Sequence, residues 1–92
     1  MPQLFKMGEY VVYFWSNEGL PTEPVHVHIA KGDPTINATK VWITQDGRAL
    51  VCNNQSRIPK FELRLILRAI EANSERIVKK WTEHFEGVWF YC

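Results

Sequence analysis

The chain has 92 residues, 46% of them hydrophobic and 13% aromatic, and its eleven basic and ten acidic residues leave a formal net charge of +1. This length allows one domain with a single core, and the composition excludes a disordered chain. The balanced charge excludes a strong attraction of the whole chain for nucleic acid or anionic membranes, so any basic site must be local.

The cysteines and the N-terminus indicate the compartment. Cys52 and Cys92 are too few for a disulfide framework and show no metal-ligand spacing, which favours reduced thiols. The first residues lack the basic stretch and apolar run of a secretory signal, and no apolar segment approaches the roughly 20 residues that span a bilayer. We therefore expect a cytoplasmic protein with no membrane contact.

The first half of the chain carries the pattern of short β-strands. β-branched and aromatic residues from Gln3 to Trp15, interrupted at Gly8-Glu9, predict a hairpin, and residues 16–24 predict a loop because they hold turn-forming Asn, Gly and Pro. Further strands are predicted at Val25–Ala30, Asn37–Ile43 and Arg48–Cys52, with a hairpin turn at Gln45-Asp46-Gly47. Together these segments predict an antiparallel meander of about five short strands.

Apolar residues spaced by three and four predict a helix in the second half. The stripe is Leu63, Ile66, Leu67, Ile70, Ile77, Val78, Trp81 and Phe85. We expect one helix of about 27 residues, bent at Asn73-Ser74, packed on one sheet face; two helices joined there, with Ser74 as N-cap, are the alternative. The last residues, Val88–Cys92, predict a short strand or an apolar tail, which adds to the sheet edge or joins a partner.

Alternation along the strands places two histidines on one sheet face. His26 and His28 point away from Val25, Val27 and Ile29, and the aliphatic side should meet the helix. Lys40 and Trp42 join the histidines by the same rule. Depending on register, the second strand adds one of two sets: Val11, Tyr13 and Trp15, or Tyr10, Val12 and Phe14. The pattern predicts an exposed sheet face that is basic and aromatic.

This face admits two kinds of chemistry. Histidines at i and i+2 can hold one metal ion, with a third ligand from a flanking loop: Glu18, Glu23 or Asp33. The same pair can act as general acid and base, with Lys40 stabilising charge on a phosphodiester, as a ribonuclease requires. The sequence selects no third ligand for a metal ion. The catalytic mechanism demands no nucleophile, so the sequence neither requires nor excludes it.

Binding functions use the same side chains. Bases of single-stranded nucleic acid could stack on the aromatic residues while phosphates meet Lys31 or Lys40, although the overall charge argues against this. A protein partner suits the face better, since tyrosine, tryptophan and histidine combine apolar bulk with a polar edge. The alternative without function is that His26 and His28 are half-buried strand residues hydrogen-bonded to loop carbonyls. The charged helix residues predict a solvated face: Arg64, Arg68, Glu71, Glu75, Lys79 and Lys80.

Several segments resemble an uncharacterised prokaryotic family, the domain of unknown function 4160, over nearly the whole chain. They are Met1-Pro2, Gly8, Phe14-Trp15-Ser16-Asn17-Glu18-Gly19, Glu23-Pro24-Val25-His26-Val27-His28-Ile29, Lys40-Val41-Trp42, and Glu71-Ala72-Asn73-Ser74 through Trp81 to Phe85. The resemblance implies a bacterial cytoplasmic protein with a protein partner, in a toxin–antitoxin-like pair, and supplies no reaction. The chain departs from the commoner family pattern at two places. Thr22 stands where family members often have a proline, and the Gln45–Ser56 hairpin with the Trp89-Phe90-Tyr91-Cys92 tail resembles a subgroup feature.

The sequence therefore predicts one α+β domain over residues 1–92 that acts as a non-enzymatic interaction module. Its partner would bind the apolar tail or the sheet face, whose binding residues are His26, His28, Lys40, Trp42, Tyr13 and Trp15. A homo-oligomer is a further option, and no cofactor is expected. The alternatives are a histidine-dependent ribonuclease toxin, with His26, His28 and Lys40 as catalytic candidates, and a metal-binding domain that uses the two histidines.

Overall fold

The computed structural model describes residues 3–15, 24–85 and 88–91. Within them, five strands form one antiparallel sheet in the order β1-β2-β3-β4-β5, which confirms the predicted meander. The strands are β1 Gln3–Met7, β2 Tyr10–Tyr13, β3 His26–Lys31, β4 Thr39–Ile43 and β5 Ala49–Asn53. Strand β3 is therefore central, with two neighbours on each side. The loop predicted between β2 and β3 lies almost wholly outside the described residues.

Both outer strands of the sheet are irregular. Leu4 of β1 is an extra residue between the pairs that Gln3 and Phe5 make with β2, and Cys52 of β5 is extra relative to β4. Such bulges twist an edge and make it a poor template for a further strand. On β5, the Glu71 carboxylate also accepts a hydrogen bond of 3.0 Å from the Ala49 amide. Neither edge of the sheet is thus a regular, open ladder.

The helical region is divided at the predicted position into α1 Lys60–Ala72 and α2 Ser74–His84, so two helices form rather than one bent helix. The expectation that Ser74 is the N-cap is wrong, because Asn73 occupies that position. Asn73 separates them with φ −108° and ψ 14°, and its side-chain amide donates to the Ala69 carbonyl at 2.8 Å. Asparagine competes in this way for backbone groups of the preceding turn. Ser74 begins α2, and no side-chain hydrogen bond caps that helix.

The two helices cover one face of the sheet and form the main core. The strands and the residues next to them contribute Tyr10, Val12, Phe14, Val25, Val27, Ile29, Val41 and Ile43. The helices and the residues next to them contribute Ile58, Ile66, Ile70, Ile77, Trp81 and Phe85. We call this side the helix-covered face. It is the aliphatic side that strand alternation predicted, and its burial is the main source of stability for a chain of this size.

The turn between β4 and β5 is held close to the start of α2. Gly47 has φ +85°, a conformation that L side chains rarely adopt, as the Gln45-Asp46-Gly47 hairpin signal predicts. A Cβ atom at this position would lie 3.0 Å from Ser74 Oγ. The turn therefore needs glycine both for its backbone angle and for its approach to α2.

Candidate functional site

The sheet face opposite the helices brings the predicted site residues together. In the strand register His28 lies between Tyr13 on β2 and Lys40 on β4, and His26 lies beside Trp42. Trp15 packs beside Tyr13, with ring centroids 5.4 Å apart. The register thus selects the Val11, Tyr13 and Trp15 set of the two alternatives. We call the six residues the histidine face: Tyr13, Trp15, His26, His28, Lys40 and Trp42.

The prediction that this face is exposed is wrong for its central residues. His26 and Tyr13 have no exposed surface and His28 is 5% exposed, whereas Trp15, Lys40 and Trp42 are half-buried. Part of the cover comes from the segment between β3 and β4. The Tyr13 hydroxyl donates to the Thr35 carbonyl at 2.7 Å and accepts from the Thr35 amide at 3.1 Å. This loop closes over Tyr13 and the neighbouring small residues of the sheet.

His26 is held inside an aromatic cage. Its ring centroid lies 5.1 Å from that of His28, 5.8 Å from that of Trp42 and 5.2 Å from that of Trp81 on α2. Its Nδ1 lies 2.8 Å from the Pro24 carbonyl, and a carbonyl oxygen only accepts, so Nδ1 carries the proton. This contact matches the alternative of a buried histidine bonded to a loop carbonyl.

The arrangement supports metal binding only weakly. Among residues 3–15, 24–85 and 88–91, no group of three or more His, Cys, Asp or Glu side chains is placed to hold a metal ion. Asp33, one predicted third ligand, follows the far end of β3, whereas His26 begins that strand. Glu18 and Glu23, the other two, lie outside the described residues. Two histidines alone do not complete a zinc site.

The catalytic candidates are adjacent but enclosed. Lys40 pairs with His28 in the strand register, and its Nζ lies 4.4 Å from the centroid of the Trp42 ring. That is the geometry of a cation–π contact. A substrate phosphodiester would have to reach imidazoles that are at most 5% exposed. The side chains of His26, His28 and Lys40 are therefore close together, but the described part of the structure leaves a substrate little access to the two histidine rings.

The C-terminal segment, Val88–Tyr91, lies against the sheet rather than extending its edge. The Val25 amide donates to the Trp89 carbonyl at 2.9 Å, and Phe90 packs against the main core. Tyr91 stacks on Trp42, with ring centroids 5.0 Å apart and planes 3° apart. Trp89 and Tyr91 nevertheless remain 57% and 59% exposed. The sequence marked this segment as apolar, but nothing in it indicated the contact with Trp42.

A polar contact that the sequence did not indicate joins the sheet to helix α1. The Tyr10 hydroxyl donates to the Glu62 carboxylate on α1. This hydrogen bond, together with burial and the negative charge of Glu62, raises the pKa of Tyr10 from 10.0 to about 12. A tyrosine and a glutamate 52 positions apart meet only because β2 and α1 pack together.

The fold and the site define a class of small α+β domain, in which two helices cover one face of a five-stranded meander and a His-x-His pair is buried on the other. The family described as Domain of unknown function (DUF4160) matches residues 9–82, and the chain belongs to this family. The match includes both histidines, Lys40 and Trp42, and ends before the C-terminal segment. No curated protein and no solved structure matches the chain. Within the described residues, no helix has the length and apolar character needed to cross a membrane.

Proposed function

We propose that this chain is a non-enzymatic protein-interaction module, one component of a bacterial toxin–antitoxin-like or regulatory pair, and that its partner protein binds the C-terminal segment. The partner and the pairing rest on the family resemblance, which implies a protein partner. The choice of surface rests on the contacts of Trp89 and Tyr91. Between the two surfaces that the sequence suggested, burial of the histidines favours the tail over the histidine face.

The observation that carries the proposal is that two large aromatic side chains are exposed on a segment that is itself held against the sheet. Trp89 and Tyr91 keep more than half of their surface in water, although the Trp89 backbone is bonded to Val25 and the Tyr91 ring is stacked on Trp42. Tryptophan and tyrosine are enriched among the residues that dominate binding energy at interfaces. Because the Trp89 backbone and the Tyr91 ring already contact the rest of the chain, binding a partner would cost less conformational entropy than ordering a free tail.

The family resemblance also implies that a short protein is encoded beside the chain, so the test uses the protein encoded by the neighbouring reading frame as the probe. The two full-length chains are co-expressed, purified and titrated calorimetrically. We expect a complex that Trp89→Ala or Tyr91→Ala weakens at least about tenfold, the loss typical of a central aromatic contact. Ile36→Ala is the matched control, because Ile36 is 80% exposed on the loop before β4, and it should leave the affinity unchanged. A complex that tolerates both tail variants would rule out this surface.

The ribonuclease toxin is the second candidate, favoured by one observation: the sheet brings His26, His28 and Lys40 side by side. Expression of the chain alone separates the two functions. The interaction module predicts normal growth, whereas a toxin predicts growth arrest that His28→Gln abolishes while the protein still melts cooperatively. Elemental analysis of untagged protein tests the metal-binding version in the same preparation, since a bound ion would appear in stoichiometric amount.

A further inference from the structure

Helix α1 turns a distinctive set of side chains away from the sheet. Lys60, Arg64 and Arg68 recur every four residues and form one exposed stripe along the helix. Phe61 and Leu65 form an adjoining stripe and are 71% and 42% exposed. We call these five residues the basic face of α1. It combines three cations with two large apolar side chains over roughly 12 Å, at a rise of about 1.5 Å per residue.

The positive charge of this face is not neutralised by its own helix. Glu62 accepts the hydrogen bond from Tyr10, and Glu71 accepts that from the Ala49 amide. Within the part of the chain that the structure describes, Lys60, Arg64 and Arg68 make no ion pair with either carboxylate. The charge is therefore a local concentration on a chain whose net charge is only +1. Charge complementarity requires an acidic occupant.

The apolar stripe distinguishes between a nucleic acid and a protein as the binding partner of this face. Binding is favoured when a partner removes the exposed phenylalanine and the adjacent leucine from water. A nucleic acid backbone would satisfy the cations but offers no aliphatic surface to Leu65. A protein segment with alternating acidic and apolar positions satisfies both stripes at once, because arginine binds carboxylates through two parallel hydrogen bonds.

We propose that the basic face of α1 docks an acidic amphipathic segment of a partner protein. A helix of the partner laid along α1 would place its carboxylates opposite Arg64 and Arg68 and its apolar side chains on Phe61 and Leu65. This mode of recognition places apolar anchors one turn apart. The face includes no residue of the C-terminal segment or of the histidine face, so the proposal stands independently of the proposed function.

The experiment selects ligands without assuming a partner. The whole chain is immobilised and challenged with a displayed library of random peptides of about 14 residues, long enough for a marginally stable helix. Enriched peptides are then synthesised, and their affinities are measured by fluorescence anisotropy. We expect enrichment of Asp and Glu together with apolar residues at spacings of three and four, and binding that weakens as salt is raised.

Two variants and one matched control assign the binding to this face. Arg64→Glu with Arg68→Glu, and separately Phe61→Ser with Leu65→Ser, should each weaken binding at least about tenfold. The control is Lys79→Glu with Lys80→Glu, the same charge reversal at exposed positions on α2, and it should change affinity less than about twofold. Circular dichroism verifies that all three variants keep the helical content of the parent chain.

Three results of the peptide experiment would overturn the proposal. They are no enriched peptide, enriched peptides without acidic residues, and an equal loss of affinity in the α2 control. A separate binding experiment uses a single-stranded DNA oligonucleotide in place of the peptide. If the oligonucleotide binds, and binding is lost with the two arginine substitutions but kept with Phe61→Ser and Leu65→Ser, the face binds nucleic acid and the peptide proposal is wrong.

Discussion

The two faces of the sheet are built from alternate residues of the same strands, yet they are closed in different ways. The helix-covered face presents aliphatic side chains that α1 and α2 bury by packing. On the histidine face, a loop carbonyl, a tryptophan from α2 and the C-terminal segment cover polar and aromatic side chains. Buried polar groups need hydrogen-bond partners, whereas aliphatic ones need only contact. A polar and aromatic composition, rich in histidine and tyrosine, therefore does not show that a sheet face is exposed to solvent.

The largest effect is expected where the two faces meet. Trp81 is 2% exposed and contacts Phe14 and Phe85 on one side and His26 on the other. Trp81→Ala should lower the free energy of unfolding by about 3 to 5 kcal/mol, through lost burial and the cavity that remains. Denaturant titration measures the change. The matched control is Phe61→Ala on the outer face of α1, which should stay within about 0.5 kcal/mol of the parent.

The second prediction concerns the hydrogen-bonded closure of the histidine face. Tyr13→Phe removes the hydroxyl that both donates to and accepts from the Thr35 backbone, so we expect a loss of about 1 to 2 kcal/mol in unfolding free energy. Tyr91→Phe, at an exposed ring, provides the control and should change stability by less than about 0.5 kcal/mol. Equal effects of the two substitutions would mean that the loop does not seal this face.

A third prediction uses pH to test the contact between β2 and α1. The pKa of Tyr10 is raised to about 12, so the folded state favours the neutral phenol. The stabilisation is present in full below the unfolded pKa of about 10 and is lost as the pH rises from there through about 12. Unfolding should thus become easier over this window in the parent chain than in Tyr10→Phe. Parallel stability curves for the two proteins would contradict the coupling to Glu62.

The smallest effect is expected at the outer layer of the histidine face. Tyr91→Ala removes a ring that is stacked on Trp42 but is 59% exposed, and should cost about 0.5 to 1 kcal/mol. Thermal unfolding of the variant checks this value. A larger loss would mean that the C-terminal segment is part of the core, and a loss of partner binding in Tyr91→Ala could then reflect unfolding rather than a missing contact.

Patterns among neighbouring residues predicted much of the fold. Alternation correctly divided His26 and His28 from Val27 and Ile29, and the Gln45-Asp46-Gly47 signal correctly marked the β4–β5 turn. Helical periodicity found the right residues and the position of the interruption at Asn73-Ser74, but it did not decide between a bent helix and two helices. In the structure the Asn73 side chain bonds to the Ala69 carbonyl of the preceding turn. That competition between side chain and backbone is visible in geometry, not in spacing.

The sequence predicted which residues share the histidine face, but it did not predict that they are buried. The aliphatic side of β3 and β4 indicated which of their residues share the histidine face, whereas the contribution of β2 depended on a register that the structure decided. The exposure of a face depends on what lies above it. Thr35, Trp81 and Tyr91 reach the histidine face from three distant parts of the chain, and no local pattern links them to it.

By itself, the sequence determined the α+β class, a meander followed by helices, and which side chains of β3 and β4 share a face of the sheet. These properties depend on periods of two and of about 3.6 residues, which neighbouring residues determine. Only the tertiary structure decided that His26 and His28 are buried, that Trp89 and Tyr91 stay in water, and that Lys60, Arg64 and Arg68 lie beside exposed Phe61. Exposure is set by contacts between segments far apart in the chain, so it appears only when the layers pack.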